Sequence, residues 1–422
     1  MARAMKDSGI AWIGEIADGF EVIKLKYLSD ILDQYRSPIT ADQRNQDADV
    51  LYDYYGASGA IDKIDGYTIN DHVMLIGEDG ANLKMRNLPL MYEVNGKAWI
   101  NNHAHILKPK SEVDFYYLFY ALEALDLNTY ITGSAQPKLS QENLKNIWIP
   151  IPQHDVQIKI LMAIREKCQD IDALIEQTRA SIEEYKKLKQ AVITQAVTKG
   201  IRPNRPMKEV YEFEASIPDS WAMVRLKYLT TEIVDCPHET PEYSNNGEYL
   251  VIRTADQDYA RLRPDESMYR LDLSEYQNRI RRLSLDRDDI VYGREGERWG
   301  LACLVPESGK NCLGQRMMQF RCDESRILPM FAVYALSSIY VHRQGEFDTF
   351  GSTSPHVNIS TIRNYKLPLP PLGEQEEIQS YLDRKSAEID GIIAKKERYL
   401  SEVQSFKKSL IFEYVTGKKE AI

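Results

Sequence analysis

The chain has 422 residues, 43% hydrophobic and 27% charged, which is enough for two or three cored domains and is the composition of a soluble globular protein. No apolar run approaches the roughly 20 residues of a membrane-spanning helix, the polar stretch 1–10 does not read as a secretory signal, and five irregularly spaced cysteines make no disulfide framework, so a cytoplasmic protein is expected. The net charge of -10 excludes a chain that is basic throughout, but it leaves room for a local basic surface that binds DNA.

In chain order, the first distinctive segment is Ile16-Ala17-Asp18-Gly19-Phe20, with Lys24-Leu25-Lys26-Tyr27-Leu28 behind it. Alternating and β-branched residues then predict a strand over 73–76, and Asn95-Gly96 between 90–94 and 97–100 predicts a hairpin. A further strand is expected over 103–107 and a helix over 114–127. After Gly133-Ser134-Ala135-Gln136-Pro137, Asn146, Pro150 and Pro152, the period changes. Leu161, Ile164, Cys168, Ile171, Ile175, Thr178, Ile182 and Tyr185 follow alternating steps of three and four, the seam of a long helix. Leu188 and Val192 continue it with a slight slip, and Gly200 stops it. About 40 residues at 1.5 Å each make a rod of roughly 60 Å.

The same order then begins again. Ile217-Pro218-Asp219-Ser220-Trp221 and Arg225-Leu226-Lys227-Tyr228-Leu229 repeat the opening segment 201 residues on. Strands are predicted over 249–253 and 289–292; 303–305 and 317–321 flank a turn at Gly309, and a helix is predicted over 330–340. Gly351-Ser352-Thr353-Ser354-Pro355, Asn364, Pro368, Pro370, Gln375 and Ile389-Asp390 repeat the first half at a spacing of 218, so Gln375 answers Gln157. The second seam runs through Leu382, Ile389, Ile393, Leu400 and Val403 towards Phe406 and Leu410, with polar interruptions at Gln379, Ser386 and Lys396. Within the divergent segments, Glu78-Asp79-Gly80 answers Arg294-Glu295-Gly296, Gly96-Lys97 answers Gly309-Lys310, and Asn102-His103 answers Gln315-Arg316.

Units this long indicate an internal duplication, not a solenoid. The expected fold is two copies of an α/β (α+β) domain plus two long helices packed antiparallel as a coiled coil, with pseudo-twofold symmetry. Pairing of the helices between two chains and burial of each in an ordinary core are the competing readings. The boundaries read as a first domain over 1–152, a helix over 153–200, a second domain over 201–371 and a helix over 372–422.

Catalytic signatures are absent. There is no Gly-x-x-x-x-Gly-Lys-Ser/Thr loop, no Gly-rich dinucleotide or methyl-donor turn, no Asn/Asp-Pro-Pro-aromatic motif and no His-Glu-x-x-His. Cys236, His238, Cys303, Cys312 and Cys322 lack paired metal-ligand spacing. A non-enzyme without metal or cofactor of its own is expected.

Basic residues point to nucleic acid instead. The window 230–350 holds fourteen arginines and one lysine, and guanidinium forks suit phosphates and guanine edges. Arg279, Arg281, Arg282 and Arg287 cluster; Arg294, Arg298 and Arg316 follow, although 21 acids in the same window make internal ion pairing the competing role for any one of them. In the first segment, Tyr54 and Tyr55 precede Gly56-Ala57-Ser58-Gly59, where backbone can approach a phosphate closely. Lys84, Arg86 and Lys97 add charge, and Asn102 has the amide that pairs with adenine. Core packing of the tyrosines and loop fixing by Asn102 and His103 are the bland alternatives. Two other functional classes compete: a coiled-coil scaffold or adaptor that binds no DNA, and an acidic DNA mimic, for which the charge is too dilute.

With these residues in view, the chain resembles the specificity subunit of type I restriction-modification enzymes along essentially its whole length. The resemblance rests on Pro368-Leu369-Pro370-Pro371-Leu372-Gly373-Glu374-Gln375 before a long helix, Val415-Thr416-Gly417 after it, and Gly351-Ser352-x-x-Pro355. It rests also on Asp235-Cys236-Pro237-His238 with Thr240-Pro241, on Leu313-Gly314-Gln315-Arg316, on Tyr55 to Gly59 and on Asn101-Asn102-His103. Gln153-His154-Asp155 departs from the pattern that Pro371-Leu372-Gly373 keeps.

The resemblance implies that each divergent domain reads one half of an asymmetric, bipartite site in double-stranded DNA. It implies that the helices set the spacer and dock two methyltransferase subunits, which carry the methyl donor, and that restriction subunits with ATP and Mg join as an optional third component. Candidate DNA contacts are Tyr55, Ser58, Lys84, Arg86, Asn102 and His103 in the first domain. In the second they are His238, Thr240, Arg281, Arg282, Arg294, Arg298, Gln315 and Arg316.

Overall fold

The computed structural model describes residues 4–421 except 41–43, 45–47, 134–135, 211–214, 259, 263–267, 297, 347–348 and 351–355. Ser134-Ala135 and the Gly351 to Pro355 segment singled out above therefore lie outside the described residues. The chain packs into two units, 1–179 with 398–422, and 180–397.

The first unit holds a six-stranded sheet in the order Ser29–Ile31, Ala104–Pro109, Ile69–Gly77, Met91–Ile100, Tyr52–Gly56, Gly59–Ile64. Only the pairing of 52–56 with 91–100 is parallel. The predicted hairpin at Asn95-Gly96 does not form: one ten-residue strand runs straight through it, with Asp71 opposite Gly96 and His72 opposite Asn95. The nine-residue strand 69–77 offers a ladder on both sides of the dipeptide, and Gly96 absorbs the local distortion at φ +103°. One face of the sheet buries Met74, Ile76 and Leu107 against the helix Phe115–Ala124, through Tyr117, Leu118 and Leu122. Asp114 caps that helix by accepting from the amides of Tyr116 and Tyr117.

In the second unit the corresponding sheet is interrupted. Thr230–Asp235, Met317–Cys322, Ile290–Gly293 and Ala302–Leu304 form an antiparallel four-stranded sheet. Tyr269–Leu271, Tyr249–Ile252 and Asn311–Leu313 form a second sheet with one parallel pair. The strand 311–313 is the far half of what is one strand, 91–100, in the first unit. The helix predicted over 330–340 is two helices, Pro329–Leu336 and Ile339–Glu346. Ser338 breaks it: its hydroxyl bonds Ala335 O at 2.6 Å and accepts from the Val341 amide at 3.3 Å, ending one helix and starting the next.

Two helices, His154–Lys199 and Leu372–Val415, span 46 and 44 residues. In the first unit, Ile160, Leu161, Ile164 and Cys168 share a core with Leu410, Ile411, Tyr414 and Val415, and Lys407 meets Asp172 at 2.5 Å. In the second, Ile193, Ala196 and Val197 share one with Ile378 and Leu382, and Lys189 bonds Asp390 at 2.8 Å. In each unit, rising numbers on one helix meet falling numbers on the other, so the pieces there are antiparallel.

Ile175, Ile182, Leu382 and Ile389 are buried as the seam requires, and Ile171, Ile393, Leu400 and Val403 are half-buried. Leu188 and Phe406 are corrections, at 48% and 59% exposed. A helix of 3.6 residues per turn drifts from a 3.5-residue stripe, and Lys189 and Ile193 take the inward positions instead.

The helix ends explain why the first unit is built from two separate stretches of chain. Gly417 ends the second helix at φ +72°, where a Cβ would stand 2.9 Å from the Phe20 ring. Gly200 ends the first at φ +72°, with the Trp221 ring 3.2 Å from a Cβ. Phe20 and Trp221 occupy the same place in the repeat, so each anchor segment receives a helix C-terminus. The helix starts are clipped alike. Buried Gln157 accepts from the Asp114 amide at 2.9 Å and donates to Pro152 O at 3.0 Å. Buried Gln375 accepts from the Leu328 amide at 2.8 Å and donates to Arg326 O and Pro370 O at 2.9 Å each.

Candidate nucleic-acid interface

In the first unit the strand 69–77 continues into Glu78-Asp79, beside the turn that joins 91–100 to 104–109. The Glu78 amide donates to His103 O at 2.8 Å, the Asn101 amide to Tyr55 O at 3.0 Å, and the Asn101 side chain accepts from the His103 amide at 2.8 Å. Asp79 bridges to Lys138 through backbone, and its carboxylate holds His103 Nδ1 at 2.7 Å. Below them, Arg36 reaches Glu78 at 2.5 Å and the carbonyl of Asn102 at 3.3 Å. Asp33 accepts from His105 Nδ1 at 2.7 Å and Gln141 at 2.9 Å. Burial works against ionisation of Asp33 and Glu78, but hydrogen bonds from His105 and Gln141, and from Arg36 and Lys138, outweigh it, so both carboxyls titrate below their ordinary values.

The second unit repeats the joints with other side chains. The Arg294 amide donates to Arg316 O at 3.0 Å, the Gly314 amide to Ile252 O at 2.9 Å, and Glu295 bridges to His356. Arg316 sits at φ +69°, with Nε 3.6 Å from Glu295. Arg294 bonds Asp235 at 3.1 Å and Glu295 at 2.8 Å; His238 meets Asp235 at 2.8 Å. Gln315 donates to His238 O at 3.2 Å, and Arg282 to Asp235 O at 3.0 Å. These joints make His103 the counterpart of Arg316, Asn102 of Gln315, Glu78 of Arg294 and Asp79 of Glu295. Asp33 with Arg36 likewise answers Asp235 with His238, each an ion pair spaced by three residues.

Asp33, Arg36, Lys138 and His356 were not among the sequence candidates. The signal was present: Lys138 and His356 stand 218 apart, the spacing of the repeat itself.

Several candidates are spent internally. Arg86 donates to Glu123 O and Leu125 O, both at 2.7 Å, and so caps the helix 115–124. Burial pushes the Arg86 pKa down and the neighbouring Glu123 up, the latter against bonds from the amides of Met91 and Leu90. Arg294 is buried between its two acids, and Arg298 donates to Gln257 O at 2.5 Å. Arg279, also buried, braces the carbonyls of Pro237, Glu239 and Leu313. Lys84 is exposed but bonds Gly133 O at 3.1 Å. Tyr54 is buried and Tyr55 half-buried. Gly77 lets Ala57 O approach to 2.7 Å of where a Cβ would stand, so the 56–59 turn is seated on the sheet with Ser58 outward. Asn102, His103, His238, Thr240, Arg281, Arg282 and Arg316 are exposed, and Gln315 is half-buried.

Arg86→Ala should therefore act on stability. Loss of two charge-assisted bonds is expected to cost about 1.5–3 kcal/mol, read as a lowered Tm, with base preference at the DNA unchanged.

Among the described residues, no three His, Cys, Asp or Glu side chains converge as a metal site. No helix among them is long and apolar enough to cross a membrane.

Residues 17–184 and 218–399 match the family described as type I restriction modification DNA specificity domain. The chain is 25% identical over 441 residues to the putative type I restriction enzyme MjaX specificity subunit of Methanocaldococcus jannaschii, covering 96% of this chain and 95% of that one. It is 26% identical over 362 residues to the MjaVIII specificity subunit of the same organism, covering 83% and 80%. The fold is similar to a chain solved in a study of complex assembly and conformational transition of the type I R-M system, with a TM-score of 0.59 at 14% identity, over 95% of this chain and 98% of that one.

Proposed function

The chain belongs to the family of type I restriction-modification DNA specificity proteins, and from that premise we propose that each of its two units reads one half of a split site in double-stranded DNA. The chain is a DNA sequence-specificity component. The observation that carries the two-half reading is the repeated tip: the same backbone joints present Asn102 and His103 in one unit and Gln315 and Arg316 in the other. Shared backbone joints that carry different donors and acceptors suit two different half-sites, so the target is not a palindrome.

In this reading, 1–152 and 201–371 are the recognition domains. The long helices, 153–200 and 372–422, set the spacer and dock two methyltransferase subunits that bring the methyl donor. Restriction subunits with ATP and Mg are an optional third component of the same complex, and the chain itself contributes specificity without catalysis. It works in the cytoplasm, where the DNA is. A coiled-coil adaptor that ignores DNA has no use for two tips of different hydrogen-bonding chemistry on one backbone.

The test is a methyladenine map of the host genome with and without the gene. A split, non-palindromic motif should vanish on deletion. An unchanged map while the methyltransferase partner is expressed would return the adaptor reading to first place.

A further inference from the structure

We propose that His103 and Arg316 are the paired specificity-determining residues of the two half-sites, each aimed by a carboxylate, Asp79 and Glu295, that acts as a positioning residue. This deepens the DNA-reading assignment and rests on it.

Arg86, Arg294 and Arg298 have their guanidinium groups committed to protein partners. His103 and Arg316 have side chains 50% and 53% exposed, and yet neither is loose. Each is pinned through its own carbonyl, by the Glu78 amide and the Arg294 amide respectively. Each also meets the acid one residue further along that strand end, at 2.7 Å for His103 and 3.6 Å for Arg316. Arg316 is held in the left-handed backbone region at φ +69°, a conformation that a non-glycine residue keeps where its surroundings impose it. An exposed ion pair adds little to stability, so its repetition at the same joint in both units points to aiming rather than to folding.

The chemistry of each tip follows from which atoms the acid occupies. Glu295 faces Arg316 Nε, leaving the two terminal nitrogens as a fork that matches O6 and N7 of a guanine. Asp79 accepts a hydrogen bond from His103 Nδ1, and in the tautomer protonated at Nδ1 alone Nε2 is an acceptor. An acceptor there fits a base that presents an exocyclic amine in the major groove, adenine N6 or cytosine N4. One half-site therefore carries a guanine read by Arg316, and the other an amino base read by His103.

The experiment uses the full chain in complex with its methyltransferase partner. Competition binding is measured against duplexes carrying every single base-pair change in the mapped site. Arg316→Gln should reduce discrimination by about tenfold to a hundredfold at one guanine in one half, with the other half unchanged. Glu295→Gln should give a smaller loss at that same base pair, with the salt dependence of nonspecific binding unaltered and a modest fall in Tm from the weakened pair with buried Arg294. His103→Arg should move preference at one position of the other half towards guanine, and Asp79→Asn should weaken discrimination at that position alone. Uniform loss at all positions would assign these side chains to phosphates or to folding, and full retention would remove them from readout; either overturns the proposal. If the unsubstituted complex shows no base preference at all, the DNA-reading assignment itself fails, and that result is distinct from the other two.

Discussion

Trp221→Ala is expected to be the most damaging single substitution in the second unit. The ring is 1% exposed and shares a core with Ile193 and Val197 of the first long helix and with Ile378 and Leu382 of the second. Removing a buried aromatic of this size costs about 3–5 kcal/mol. At roughly 2–4 °C per kcal/mol for a unit of this size, Tm should fall by about 6–20 °C, which differential scanning calorimetry reads directly. Phe20→Ala is the matched change in the first unit and should lower that unit's transition by a similar amount.

Trp221 also donates from Nε1 to Glu374 at 2.9 Å, and Arg205 meets the same carboxylate at 2.5 Å. Burial opposes ionisation of Glu374, but the bonds from Arg205 and Trp221 outweigh it and hold its pKa below the usual 4.5. A carboxyl with a lowered folded pKa contributes stability that is complete above the unfolded value and disappears as pH falls through the folded one. Glu374→Gln should therefore flatten the acid limb of the Tm-against-pH curve below about pH 5. An unchanged acid limb would mean that other carboxylates govern it.

Gln375→Ala is expected to cost about 3 kcal/mol, because it strands the Leu328 amide and the carbonyls of Arg326 and Pro370, and each unmade buried bond is worth about 1–3 kcal/mol before relaxation and entering water recover part of it. The change separates the first turn of the long helix from the cap of the helix 329–336. Gln375→Glu is the informative companion: it keeps the acceptor for Leu328 but places an unpaired charge against two carbonyls. Gln157→Ala, with one amide and one carbonyl stranded, should cost less. Equal midpoints for all three variants in chemical denaturation would remove the clip from the account of stability.

The duplication, the long helices and the tips of the two corresponding loops are legible in the sequence because each is encoded locally. Apolar residues at steps of three and four specify a helix wherever they fall, Gly200 and Gly417 announce its ends, and Asn102-His103 and Gln315-Arg316 stand out by their place in the repeat. Tertiary structure decided the rest. Asn95-Gly96 carries a turn preference, but the ladder that strand 69–77 supplies on both sides outweighs it. Leu188 and Phe406 fit a seven-residue stripe, but helical drift turns them outward. Arg86 and Arg294 have the chemistry of DNA contacts, but a helix terminus and a pair of acids met them first. Asp33 also pairs with His105 and Gln141, and Asp235 with Arg294, partners dozens of residues away that no local pattern names. Backbone preference and periodicity act over a few residues and can be read from them; the partner of a charged side chain is set by which distant segments the sheet brings alongside.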